Sequence, residues 1–77
     1  MPRYYFDVQT PRGLAQDHDG DDYLSESDAL KDALYSAREL ASERVLLGDP
    51  LAGWAIIVRD EANQTLRTLH LSEIVQG

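Results

Sequence analysis

A chain of 77 residues has room for one small core, and a domain of that size buries only about 60% of the surface its unfolded chain exposes, so residues 1–77 read as one domain that gains from self-association. The lack of cysteine excludes disulfide staples and cysteine-based zinc sites, and no apolar run suits a signal sequence or a membrane span. With a net charge of −7 and only seven Lys and Arg, scattered along the chain, it lacks the clustered cations that nucleic-acid phosphates require; a cytoplasmic protein with no nucleic-acid and no membrane partner is expected.

Arg3 to Gln9 alternates Tyr4, Phe6 and Val8 with Tyr5, Asp7 and Gln9, the period of two of a strand with one buried face. "TPRG" follows as a turn, Pro11 setting φ and Gly13 permitting positive φ, and Leu14 to Asp17 completes a hairpin. Ser25 then reads as a helix N-cap with Asp28 at the third helical position, and Leu24 is placed to staple against Ala29. Ala29, Leu30, Ala33, Leu34, Ala37, Leu40, Ala41 and Val45 keep the 3.6-residue period for about five turns, after which Gly48 and Pro50 end the helix. Trp54, Ile56 and Val58 alternate with Ala55, Ile57 and Arg59, "DEANQ" makes a polar turn, and Thr65 to Leu71 returns as a strand.

The resulting expectation is an α+β fold of order ββαββ: an antiparallel-rich, four-stranded sheet with one long amphipathic helix on one face. Tyr4, Phe6 and Trp54 are assigned to the core. One helix covers one face of a sheet, so Tyr5 and Ile57 point to the second face, where they become candidate partner contacts.

The segment "QDHDGDDYLSES" concentrates charge: Asp17, Asp19, Asp21, Asp22, Glu26, Asp28 and Asp32 stand against Lys31 alone in residues 17–32. With Gly20 at the sixth position of an EF-hand loop, Asp17, Asp19 and Glu26 fall at the third, fifth and twelfth, but the first is Ala15 and a strand pattern precedes it. The segment therefore reads as an exposed turn leading into the helix, its acids favoured by the positive helix end. His18 and His70 have no ligand spacing between them. Ser25 is explained as a cap, no Gly-x-Ser-x-Gly turn is present, and the glycines are too dispersed to cradle a phosphate. No catalytic, cofactor-binding or metal-ligating residue is assigned, and no cofactor is expected.

"MPRYYFDV", the "D-x-x-G" before a helix carrying "A-L-x-x-A-x-x-x-L-A", then "GW-x-I-x-V-x-DE" and "L-x-T-L-x-L" together resemble a family of short bacterial proteins, known mainly from alphaproteobacteria and classed as a domain of unknown function. The resemblance covers nearly the whole chain. The residues that carry it are Tyr4, Phe6, Asp17, Gly20, Ala33, Ala37, Leu40, Trp54, Ile56, Val58 and Asp60, and it implies a fold and a compartment without an activity. The chain is also similar to HicB-type antitoxins, whose acidic turn precedes a helix of the form "S-x-x-D-A-L-x-x-A"; that likeness implies binding to a small toxin. This chain departs from that pattern in showing no third strand before the helix.

Two functions follow as expectations. The first is a non-enzymatic protein-interaction module, homodimeric through the open sheet face or an edge strand. The alternative is an acidic decoy or antitoxin-like inhibitor, in which residues 17–32, Asp17, Asp19, Asp21 and Asp22 among them, meet a basic protein partner.

Overall fold

A computed structural model describes residues 1–74. The strands are β1 (Arg3–Thr10), β2 (Gly13–Ala15), β3 (Asp21–Asp22), β4 (Ala55–Arg59) and β5 (Thr65–His70), with helix α1 (Glu26–Leu46) between β3 and β4 and a short helix α2 (Leu71–Ile74) after β5. All pairings are antiparallel. The order is β2-β1-β4-β5, and β3 pairs the other end of β1 on the same side as β2.

The α+β class and the single long helix match the sequence, but the sheet has five strands where four were expected. The added strand is the acidic dipeptide Asp21–Asp22, which pairs with Tyr4 and Arg3. Two residues carry no readable period and aspartate is a poor strand former, so this strand is imposed by β1. It also supplies the strand before the helix that the sequence does not display. At the other end Leu71 leaves β5 and begins α2, wholly buried.

Ser25 caps α1, its Oγ accepting the Asp28 N–H at 3.2 Å. At the far end the Gly48 N–H donates to the Val45 carbonyl and the Asp49 N–H to the Arg44 carbonyl, with Gly48 at φ 76°; this is the Schellman closure, which suits glycine. Ala29, Ala33, Ala37 and Ala41 are the buried residues of the helix. Four small side chains at a spacing of four let the helix backbone lie close to Ile56 and Val58 of β4. Leu71 completes the centre, with Phe6, Leu40, Leu51, Trp54, Leu69 and Ile74 packed around it.

Two expectations for the helix are corrected. Leu24 does not staple onto Ala29 but is 79% exposed, and Val45 lies outside the core. Leu24 precedes the first helical residue, and Val45 continues the alanine spacing into the last turn, beyond Ala41, the last buried residue of the helix. Trp54 does pack at the helix end as expected, with the Arg44 guanidinium 5.2 Å from its ring centroid.

Candidate functional site

The structure separates the residues singled out in the sequence. Asp7 pairs with Ile57, and Tyr5 with Arg59, across the β1–β4 ladder. Directly opposed residues share a face, so Tyr5, Asp7, Ile57 and Arg59 lie together on the face away from α1. That agrees with the alternation for Tyr5 and Ile57, and both are half-buried.

The centre of this face is an ion pair that sequence reasoning missed. Asp7 is only 2% exposed. Its Oδ2 accepts Arg59 Nε at 2.5 Å and its Oδ1 accepts Arg59 Nη2 at 3.0 Å, a fork on a carboxylate. Asp7 Oδ1 also accepts the Asp17 N–H at 2.9 Å. The remaining Arg59 donors reach the Asn63 side chain and the Asp17 carbonyl, and its guanidinium lies 4.9 Å from the Tyr5 ring centroid. Burial pushes the Asp7 carboxyl up, but the Arg59 fork, the Asp17 N–H and the charges of Arg59 and His18 outweigh it and hold the carboxyl below its ordinary value. The bond to Asp7 in turn raises Arg59.

Asp17 is the hinge between this pair and the acidic turn. β2 and β3 pair the two ends of β1 and leave its middle unpaired on that side. There the Asp17 carboxylate takes the place of a strand: Oδ2 accepts the Phe6 N–H at 3.1 Å, while Oδ1 accepts the N–H groups of Asp19 and Gly20 at 3.3 and 3.1 Å. Gly20, at φ 66°, is pressed so close that a Cβ would sit 2.7 Å from the Tyr4 carbonyl oxygen and 2.8 Å from the Tyr5 ring. No other residue type fits that position without displacing β1.

The other acids point elsewhere. Asp22 pairs with Arg3 at 3.3 Å, and the same arginine donates to the Asp19 carbonyl at 2.6 Å. Tyr23 stacks on Phe6 and donates its hydroxyl to Asp32; burial first, then Asp32, Asp21 and Asp17, raise that phenol well above its ordinary range. The side chains of Asp19 and Asp21 remain in solvent. Among the described residues no three His, Asp or Glu side chains converge in a way that could hold a metal.

Chemically, Asp7, Arg59 and Asp17 satisfy one another, so the cluster holds the sheet together and presents no unused acid or base. The signal available for it was Asp7 itself, a lone carboxylate in an aromatic strand, with Arg59 ending the apolar strand beside it.

The family model described as Domain of unknown function (DUF6894) matches residues 3–72. The chain belongs to this family. The DUF6894 span runs from the first residue of β1 into α2, so it takes in the Asp7–Arg59 pair, the Asp17 turn and every strand. No curated protein and no solved structure matches the chain, and among the described residues no helix is long and apolar enough to cross a membrane.

Proposed function

We propose that the protein is a non-enzymatic interaction module that joins a second copy of itself edge to edge through β5. The observation that carries this reading is the outer side of β5. Among the described residues this six-residue strand pairs only with β4, and it contains no proline. Its charge at neutral pH is Arg67 alone, and an uncovered edge of this kind is a template for another strand. Beside it runs a groove lined by Leu30, Leu34, Arg67 and Leu69. Antiparallel pairing of two β5 strands about a two-fold axis would extend the sheet and bring both grooves together, a self-complementary arrangement of the commonest kind.

The expected dimer is tested by sedimentation equilibrium over a wide concentration range, with Thr68→Lys as the variant. Thr68 is exposed in the middle of β5, so the lysine should leave folding intact while weakening self-association at least tenfold. A wild-type chain that stays monomeric at every concentration, or a dimer indifferent to the lysine, would count against the reading.

A second reading is a salt-sensitive contact with a basic protein. Asp19, Asp21, Glu26 and Asp28 are exposed, and their carboxylates make no salt bridge among the described residues. Binding of this kind should weaken steeply with ionic strength.

A further inference from the structure

At the end of the molecule where α1 finishes, the β1–β2 turn and the α1–β4 loop face each other. Gly53 in the loop lies so near Pro11 in the turn that a Cβ there would come within 3.2 Å of the proline Cγ. Between the two segments is a cleft of about 410 Å³ with Pro11, Pro50 and Trp54 among its walls and Arg12, Arg44 and Asp49 as its charged residues. That volume falls in the range of small-molecule sites, roughly 300–1,000 Å³.

Two of the seven cations of a chain that carries −7 meet at this cleft; Asp49 in the lining and Glu43 outside it are the carboxylates on Arg44, while Arg12 has none among the described residues. Arg12 is exposed, and its guanidinium makes no hydrogen bond or salt bridge among the described residues. Arg44 lies over Trp54, and its buried Nε has no hydrogen-bond partner among the described residues. Its outer nitrogens reach Asp49 at 3.2 Å and Glu43 at 2.5 Å, both well exposed carboxylates. The Asp49 carboxylate is about half exposed, at 48%, so solvent screens its pair with Arg44 and an incoming carboxylate can take its place. The guanidinium fork matches a carboxylate in shape, and the proline and tryptophan walls suit an apolar body behind it.

We propose that this cleft binds a small monocarboxylate with an apolar body, its carboxylate held between Arg12 and Arg44 and its body against Pro11, Pro50 and Trp54. A single negative charge matches Arg12, the guanidinium of this cleft without an acid partner among the described residues, whereas a dianion would meet Asp49 and Glu43. None of the residues lining the cleft belongs to β5, so the proposal is tested by variants separate from those of the dimer.

Trp54 is the sole tryptophan, so its emission reports the cleft directly. The titrants are cyclohexanecarboxylate, cyclohexyl phosphate, acetate and the neutral cyclohexylmethanol. Cyclohexanecarboxylate should give a saturable change, with acetate and the neutral alcohol at least tenfold weaker. Arg12→Ala should weaken the acid about tenfold, the loss of one charged hydrogen bond, with an unchanged melting temperature because Arg12 is an exposed turn residue. Asp49→Asn should tighten it severalfold, since the internal competitor for Arg44 loses its charge; a purely structural Asp49 would not produce that gain. The assignment is overturned by the absence of a saturable response, by an alcohol that binds as well as the acid, or by an Arg12→Ala variant that titrates like the wild type. Tighter binding of cyclohexyl phosphate than of the carboxylate would overturn the choice of a monoanion.

Discussion

Along the side of β1 away from β4 each stretch is occupied, β2 and β3 pairing its ends and the Asp17 carboxylate filling the gap between them, whereas no strand among the described residues pairs the outer side of β5. The acids that make the sequence conspicuous are spent largely at the closed edge: Asp17 on backbone N–H groups, Asp22 on Arg3, Asp32 on Tyr23. What looks like a charged recognition loop is in good part an edge closure. Among the described residues, the β5 edge, which lacks any conspicuous motif, is the longest left with unmet hydrogen-bonding capacity, six residues against the three of β2 and the two of β3.

The sharpest way to break this contrast is at the closed edge. Asp7→Ala strands Arg59 without its carboxylate, and removing one partner of a buried pair costs about 3–5 kcal/mol. Because Arg59 keeps its bonds to Asn63 and the Asp17 carbonyl, a loss of about 3 kcal/mol in chemical denaturation is expected. A double Asp7→Leu, Arg59→Leu variant should recover much of it, as apolar replacements of buried pairs commonly do; no recovery would mean the pair does more than hold the sheet.

Next in size is Gly20→Ala, which combines a positive φ with a methyl group driven into the Tyr4 carbonyl. About 2 kcal/mol is expected, read as a lowered denaturation midpoint. Retention of full stability would show that the turn is not pinned against β1.

Acid should loosen the same edge. The folded carboxyl of Asp7 lies below its unfolded value, which is about 3.9. The pair therefore contributes fully above that value, and the contribution is lost as the pH falls through it toward the folded one. Wild-type stability should fall more steeply than that of Asp7→Asn as the pH is lowered through and below about 3.9, measured by urea denaturation across that range. Parallel curves would remove Asp7 as the acid-sensitive group.

The smallest effect on stability belongs to the open edge. Thr68→Lys should change the stability of the monomer by no more than about 0.5 kcal/mol while shifting its association, the reverse of every variant at the closed edge. A large loss of stability would mean that β5 contributes to the fold as β1 does.

Much of this could be read from local pattern. The long helix with its Ser25 cap and Gly48 stop, the alternating faces of β1 and β4, and the polar turn before β5 all rest on spacing, because helix and strand periods and turn chemistry act between near neighbours. The placement of Tyr5 and Ile57 on the face away from α1 was legible for the same reason. The exposure of Leu24 and Val45 was not, since it depends on where along the helix the sheet stops covering it, and both lie outside the stretch from Ala29 to Ala41 that is buried.

The candidate site divides in the same way. Asp17 and Gly20 were visible as turn residues, but not the partners they turn toward. Asp7 and Arg59 are 52 positions apart and meet only because β1 and β4 lie side by side; β3 exists only because β1 offers Arg3 and Tyr4 for pairing. The cleft at Trp54 likewise needs the β1–β2 turn brought against the α1–β4 loop. The sequence by itself determined which segments are helix, strand and turn and where charge is concentrated, because those follow from interactions within a few residues. Only the tertiary structure decided which charges are used up and which edge is left open, because a carboxylate's role depends on the donors that distant strands bring within hydrogen-bond reach.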